Sequence, residues 1–323
     1  MAFSIDRIYE ARERISPYIV RTPLLRLSSL DAFLGCQVYV KAECMQTTGA
    51  FKLRGALNKI RTLTPQQLNC GIVTASSGNH GRAVAYTAKM LGVSATVVMP
   101  NTAPPVKVNA IRNLGAEVVQ CDAADRFRIA DEICARKGAA MVPPFNDEAV
   151  MAGQGTAGLE ILEQCPEVDK VVVPVSGGGL ISGVSTAVKA LRPHAKVYGA
   201  EPTALPRYSE SLKAGKPVQV EQKRSVADAL ACSLPGDLCF PVVAANTDGV
   251  CAVEDSYTLK GMKLLLMEGK LLCEPSSAIG IGAVLQGLLP VEKEEKVCFL
   301  ISGGNVGFEQ LKILEDVVLP AAL

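Results

Sequence analysis

Short apolar runs rich in β-branched residues alternate along the chain with segments whose apolar positions recur every three or four residues. The first pattern predicts strands and the second predicts helices. Strands are predicted at VYVK (38–41), GIVTAS (71–76), ATVVMP (95–100), AEVVQC (116–121), VDKVVVPV (168–175), KVYGAE (196–201) and KVCFLIS (296–302). Helices are predicted through RAVAYTAKML, through VKVNAIRNLG ending at Gly115, and through LISGVSTAVKAL. The opening MAFSIDRIYEARERISPYIV reads as a charged amphipathic helix. Continuously apolar strands that alternate with helices imply an α/β protein of open, largely parallel sheets with helices on both faces. Pro143 and Pro144, in VPPFNDEA (142–149), break regular structure and mark a boundary. The strands at 71–121 are local enough to form their own small sheet. Two domains are therefore expected: a small one over 61–148 and a large one from 1–60 and 149–323.

Composition narrows the function classes. Lys+Arg is 33 and Asp+Glu is 32, which leaves no basic stripe for nucleic acid and no polybasic membrane patch. The N-terminal segment lacks the apolar core of a signal peptide. No run reaches the roughly 18 apolar residues of a membrane span. The 11 cysteines include no CxxC pair, so neither a zinc site nor a redox dithiol is indicated. Free thiols in that number suit a reducing cytosol. His80 and His194 are the only histidines, too few for a histidine metal site.

Three glycine-rich turns follow predicted strands. VVVPV runs into SGGGLISG (176–183), where Gly177, Gly178 and Gly179 let backbone N–H groups approach an anion at a helix N-terminus. A phosphate is the expected guest. No Lys-Ser or Lys-Thr follows, so this is not a P-loop. A dinucleotide fingerprint fits at Gly177 and Gly179 but meets Ser182 at its third glycine, with Glu201 near the expected ribose ligand. On this motif alone a nicotinamide enzyme competes. The second turn, SSGNHG (76–81), offers Ser76, Ser77, Gly78, Asn79 and His80, a cradle for a substrate carboxylate. Helix capping is its simpler reading. The third, SGGN (302–305), presents Ser302 and Asn305. Ligands in open α/β sheets sit at the carboxyl ends of strands, so the turns are expected to converge. In TGAFKLRGALNK (48–59), Ala50, Leu53, Leu57 and Ile60 share an apolar stripe with Lys52 near its edge. Periodicity alone does not distinguish Lys52 from a solvated lysine.

Taken together, TGAFKLRGALNK, SSGNHGRAVAY, NDEAVMAGQGTAGLEIL, VPVSGGGLISG, CEPSSA and ISGGN resemble the fold-type-II pyridoxal-phosphate enzymes, in the branch of serine/threonine dehydratases and serine racemases. The resemblance runs from about residue 5 to about residue 310, with the segments in the family's order. It implies a two-domain fold like that of the tryptophan synthase β chain, and pyridoxal 5'-phosphate as cofactor. Lys52 then matches the Schiff-base lysine, and desolvation would make its amine a usable nucleophile and base. Ser176, Gly177, Gly178, Gly179 and Leu180 match the loop that holds the cofactor phosphate. Asn79 matches the residue bonded to the ring hydroxyl oxygen, Phe51 the aromatic beside the ring, and Ser302 the partner of the pyridine nitrogen. Ser76–His80 match the turn that holds the substrate carboxylate.

The implied reaction is loss of water from L-serine or L-threonine, with Lys52 as base, giving 2-oxo acid and ammonia. Ser77 stands where serine racemases carry the second acid, so racemisation is the alternative. Animal serine racemases bind a divalent cation with a Glu and, six residues on, an Asp. Here Glu201 matches the first and Arg207 replaces the second, so no metal is expected. Ala229, where relatives carry glycine, would narrow the site. YEARERISPYIVRTPL with GNHGRAVAY is also similar to dehydratases assigned to hydroxyectoine breakdown, which keeps another β-hydroxy amino acid open as substrate. The chain stops soon after ISGGN, which implies a degradative type without a regulatory domain. The resemblance further implies a cytoplasmic homodimer or homotetramer acting on a small amino acid.

Overall fold

The computed structural model describes residues 3–76, 78–103 and 105–319. Ten strands run in chain order: β1 (Leu24–Arg26), β2 (Gln37–Ala42), β3 (Ile72–Ala75), β4 (Ala95–Pro100), β5 (Glu117–Cys121), β6 (Ala140–Met141), β7 (Lys170–Pro174), β8 (Lys196–Pro202), β9 (Gly249–Val253) and β10 (Lys296–Ile301). They form a six-stranded sheet ordered β1-β2-β10-β7-β8-β9 and a four-stranded sheet ordered β5-β4-β3-β6. Apart from the antiparallel β1–β2 pair, the neighbours pair in parallel. The fold class expected from the apolar pattern is the one observed.

Burial on both faces explains the continuous apolar runs. Along β10, Val297, Phe299 and Ile301 enter one core while Cys298 and Leu300 enter another. Along β4, Val97 and Met99 face one core and Val98 the other. The seven strands expected from sequence are all present. β1, β6 and β9 were not expected: all lie at sheet edges, and β1 and β6 are only three and two residues long.

The helix Lys52–Arg61 lies against the small sheet's core. Leu53, Leu57 and Ile60 are fully buried there with Ile72, Val84 and Val97, each such side chain contributing about 1.5–3 kcal/mol. Its other side meets the helix Glu148–Gln164 at backbone distance. A Cβ built on Gly153 would lie 2.5 Å from the Arg54 carbonyl oxygen and 2.7 Å from the Gly55 Cα. The same central helix touches the helix Gly179–Leu191 in the same way: a Cβ on Gly183 would lie 2.7 Å from the Gly155 Cα. Only glycine permits these approaches.

A buried ionic network pins the first of these contacts. The Arg54 guanidinium donates to both carboxylate oxygens of Glu43, at 2.8 Å each, and to both of Glu160, at 2.7 and 2.8 Å. The Lys41 amine donates to Glu160 at 2.6 Å, to the Thr22 carbonyl at 2.6 Å and to Gln164 at 3.0 Å. Lys41, Glu43 and Arg54 are fully buried and Glu160 nearly so. The two cations and two carboxylates balance, which makes such burial tolerable. Burial pushes the Glu43 carboxyl up, and the charge and hydrogen bonds of Arg54 more than reverse this, holding it below its ordinary value.

Candidate active site

Lys52 opens its helix directly after a turn stitched to the end of β10. The Gly49 carbonyl accepts from the Gly304 N–H at 2.9 Å, Ala50 bridges Gly303, and the Phe51 N–H donates to the Ser302 carbonyl at 2.9 Å. The Lys52 amine donates to the Pro144 carbonyl at 2.6 Å and lies 5.1 Å from the centre of the Phe51 ring. Burial lowers its pKa to about 8, with Cys232, Cys239 and Glu274 pulling it partly back. A lysine at its ordinary pKa is about 0.1% neutral at pH 7.5, whereas one at about 8 is roughly a quarter neutral. Lys52 is therefore a usable amine.

The glycine turn after β7 is shaped from both sides. Gly178 has φ +104, and a Cβ there would overlap the Tyr208 hydroxyl and reach 2.8 Å from the Cys239 Cβ. A Cβ on Gly177 would overlap the Phe145 ring, and one on Gly179 would come within 3.0 Å of the Phe145 Cα. The Tyr208 hydroxyl donates to the Gly177 carbonyl at 3.0 Å. Gly179 and the buried Leu180 then begin a 13-residue helix, whose first N–H groups have no intrahelical acceptor. Ser176 accepts from the Cys232 N–H at 3.4 Å.

Behind this turn sits Arg207, fully buried. It donates to the carbonyls of Ser176 at 3.1 Å, Leu205 at 2.7 Å and Val175. Its Nε lies 3.8 Å from Glu201. Glu201 in turn accepts from the N–H groups of Tyr208 at 2.9 Å and Ser209 at 2.7 Å. Both residues are thus committed to the protein, and Glu201 is fully buried and unavailable to a ribose. Among the described residues no group of three acidic, cysteine or histidine side chains could hold a metal ion.

The second and third turns meet through Asn79. Its Oδ1 accepts from the Asn305 amide at 2.8 Å, and its Nδ2 donates to both oxygens of Glu274, at 2.9 and 3.0 Å. Ser302 is buried, its hydroxyl 2.9 Å from that of Ser277. Ser76 takes the Val98 carbonyl through its own N–H at 3.1 Å, while the direction of a Cβ on Gly78 is open space. The His80 Nε2 pairs with the Val142 carbonyl at 2.9 Å, and its Nδ1 is buried without a partner among the described residues. Burial first, then the charge of Lys52, lowers its pKa to about 3, so the ring is neutral. It anchors the segment that carries Pro144. Ser77 lies outside the described residues.

These groups fit the pyridoxal phosphate that the sequence resemblance implies. A Cβ-intolerant glycine cradle at a helix N-terminus suits the phosphate. A desolvated lysine held by a single carbonyl suits covalent attachment. Phe51 and Ser302 meet at the same turn. Sequence reading missed Phe145, Tyr208 and Glu274. The first was read only as part of a breaker, although the Asp147 side chain accepts from the N–H groups of Ala149 and Val150 and so caps the next helix. Glu274 stood inside a quoted motif, but nothing in CEPSSA distinguishes a buried carboxylate from an ordinary residue before a helix-opening proline.

Comparison with known proteins gives the family. A family model described as "Pyridoxal-phosphate dependent enzyme" matches residues 15–303. The chain is 42% identical over 305 residues to the L-threonine ammonia-lyase of Thermotoga maritima, covering 94% of this chain and 76% of that relative. It is 40% identical over 311 residues to the serine racemase of Oryza sativa subsp. indica, covering 94% and 91%. The solved structure of maize serine racemase superposes with a TM-score of 0.93 at 39% identity, covering 97% of each chain.

Proposed function

Because the chain belongs to the pyridoxal-phosphate-dependent enzymes, we propose that it is a serine/threonine dehydratase, converting L-threonine or L-serine to a 2-oxo acid and ammonia. The observation that carries this reading is the Lys52 amine, lowered to about 8 and aimed at the Pro144 carbonyl, in the segment that also packs on Gly177 and Gly179 and accepts from His80. Bound here, the cofactor supplies an electron sink for the substrate's Cα carbanion. The backbone N–H groups of the Ser76–His80 turn hold the substrate carboxylate. The free Lys52 amine would take the Cα proton at close range. Ser176–Leu180 would hold the phosphate, Phe51 would flank the ring and Asn79 would serve its hydroxyl oxygen. Ser302, a hydroxyl rather than a carboxylate, leaves the ring nitrogen without a counter-charge, which favours elimination over transamination. The Cβ–O bond would break with a proton returned to the departing hydroxyl, so that the Cα proton and the β-hydroxyl leave together as one water, and hydrolysis of the resulting enamine gives the 2-oxo acid and ammonia.

The second reading is a serine racemase, alone or combined with dehydratase activity. It is favoured by the likeness to rice and maize serine racemases and by Ser77. Arg207 weighs for the first reading, because its buried charge stands six residues after Glu201, where animal racemases carry a metal-binding Asp. Dehydration of another β-hydroxy amino acid is the third. The protein in this reading has its small domain at 61–148 and its large domain in 1–60 and 149–323, and works in the cytoplasm as a homodimer or homotetramer. No helix among the described residues is long and apolar enough to cross a membrane.

The test is one reaction with purified, cofactor-loaded protein, given L-serine and L-threonine separately, with 2-oxo acid and D-amino acid quantified together. Fast 2-oxo acid with little D-isomer supports the dehydratase. D-serine forming as fast as pyruvate overturns it in favour of the racemase, with Ser77 as second acid. Lys52→Ala abolishes turnover; a near-normal rate would refute the site altogether.

A further inference from the structure

Glu274 is a buried carboxylate for which the proposed reaction has no use. It is 5% exposed, just ahead of Pro275 at the start of a helix whose Ser277 meets Ser302. Its two oxygens face the Asn79 amide at 2.9 and 3.0 Å. A Cβ built on Gly303 would lie 2.8 Å from one of those oxygens and 3.1 Å from the Asn79 Nδ2, so the glycine leaves room for this pair.

The Asn79 amide cannot turn over. Asn305 donates to its Oδ1 at 2.8 Å, and Arg82 donates to the Asn305 Oδ1 at 2.7 Å. Asn305 is held in that sense by a second donation, to the Thr48 carbonyl at 2.9 Å. Donation thus runs one way, from Arg82 to Asn305, from Asn305 to Asn79 and from Asn79 to Glu274. Asn79 can only donate toward the site, and the Glu274 carboxylate competes for what it donates.

We propose that Glu274 is a positioning residue that acts through Asn79, releasing the amide to the cofactor's ring oxygen when its carboxyl is protonated and drawing it back when ionised. The inference rests on the pyridoxal-phosphate reading above. An ionised acceptor forms the stronger hydrogen bond, so the sharing of the amide changes with protonation. The titration falls in a working range. Burial raises the Glu274 pKa to about 7, Asn79 opposing, Asp228 adding, and Lys107 and Lys52 opposing. The other titratable groups facing Glu274 are the thiols of Cys44 and Cys273, both driven up by burial and so neutral. Lys107 and Asp228 face each other at 3.7 Å.

The experiment is a pH titration of the visible absorption of the cofactor-loaded protein without substrate, from about pH 5.5 to 8.5. The wild type gives a spectral transition centred near 7. Glu274→Gln, which keeps size and an acceptor but cannot ionise, loses it. Glu274→Asp retains it at a displaced midpoint. A Glu274→Gln protein with an unchanged midpoint overturns the proposal. Should that variant fail to fold, Asn305→Ala serves in its place. It frees the Asn79 amide to turn, and the transition weakens although Glu274 is intact; an undiminished transition overturns the proposal equally. Absence of a visible band in the wild type is a separate result, which refutes the cofactor reading and this inference with it.

Discussion

Replacing Arg54 with methionine removes the cation shared by Glu43 and Glu160 while keeping most of the buried bulk. Lys41 still serves Glu160 at 2.6 Å, but Glu43 is left fully buried with the Thr22 hydroxyl as its remaining side-chain partner, at 2.5 Å. Breaking a buried pair from one side costs about 3–5 kcal/mol. In a chain of this size that lowers the melting temperature by on the order of 10 °C. The sign with pH is definite. In the wild type Glu43 is held below its ordinary value, so its stabilisation is present above about pH 4.5 and lost only as the pH falls further. Without Arg54, burial, the largest influence on Glu43, is opposed only by the Lys41 charge and the Thr22 hydroxyl and raises that carboxyl, so the unfolded chain releases the proton first and the penalty is largest at neutral pH. Melting curves of Arg54→Met and wild type at about pH 7.5 and pH 5.5 should therefore converge on acidification. Adding Glu43→Gln should restore part of the loss at pH 7.5. A loss below about 1 kcal/mol, or a gap that widens on acidification, would refute the charge-balance argument. Cofactor retention should fall with stability, since Arg54 sits two residues after Lys52 in one helix.

Two further outcomes follow from the site. Gly178→Ala forces a side chain into φ +104 and against Tyr208, which costs about 1–3 kcal/mol in backbone strain alone; visible absorbance surviving dialysis should drop sharply, and full retention would show that the turn does not hold the phosphate. Turnover should be unchanged after exhaustive chelation of divalent cations, because Arg207 already supplies a buried charge to the carbonyls of Val175, Ser176 and Leu205; loss of activity on chelation with recovery on adding magnesium would contradict that role.

The parts of the fold visible in sequence are those encoded by burial on both faces. β4 occupies 95–100 as the apolar run ATVVMP indicates, and the turn after β7 carries its glycines at the expected place. β9 was passed over although GVCAV is an apolar run; it pairs only with β8, at the sheet edge, and is half-buried there. Lys52 could be picked out only by its surrounding motif; its lowered pKa comes from burial, and the carbonyl it donates to stands 92 positions away, and local pattern contains neither. His80 shows the converse. Its place in the turn was legible, but the tie of its ring to the Val142 carbonyl depends on how two distant segments pack.

The glycine contacts of the Glu148–Gln164 helix have a consequence for how such a site can change over time. Lys52 and Gly179 each stand at the first turn of a helix, and each helix rests backbone to backbone on that same central rod. Main-chain atoms already in contact cannot be brought closer, and side-chain substitutions elsewhere have no lever on them. The rod therefore acts as a fixed gauge between anchor and cradle. Side chains around the turns can be exchanged without altering the distance between Lys52 and the glycine turn after β7.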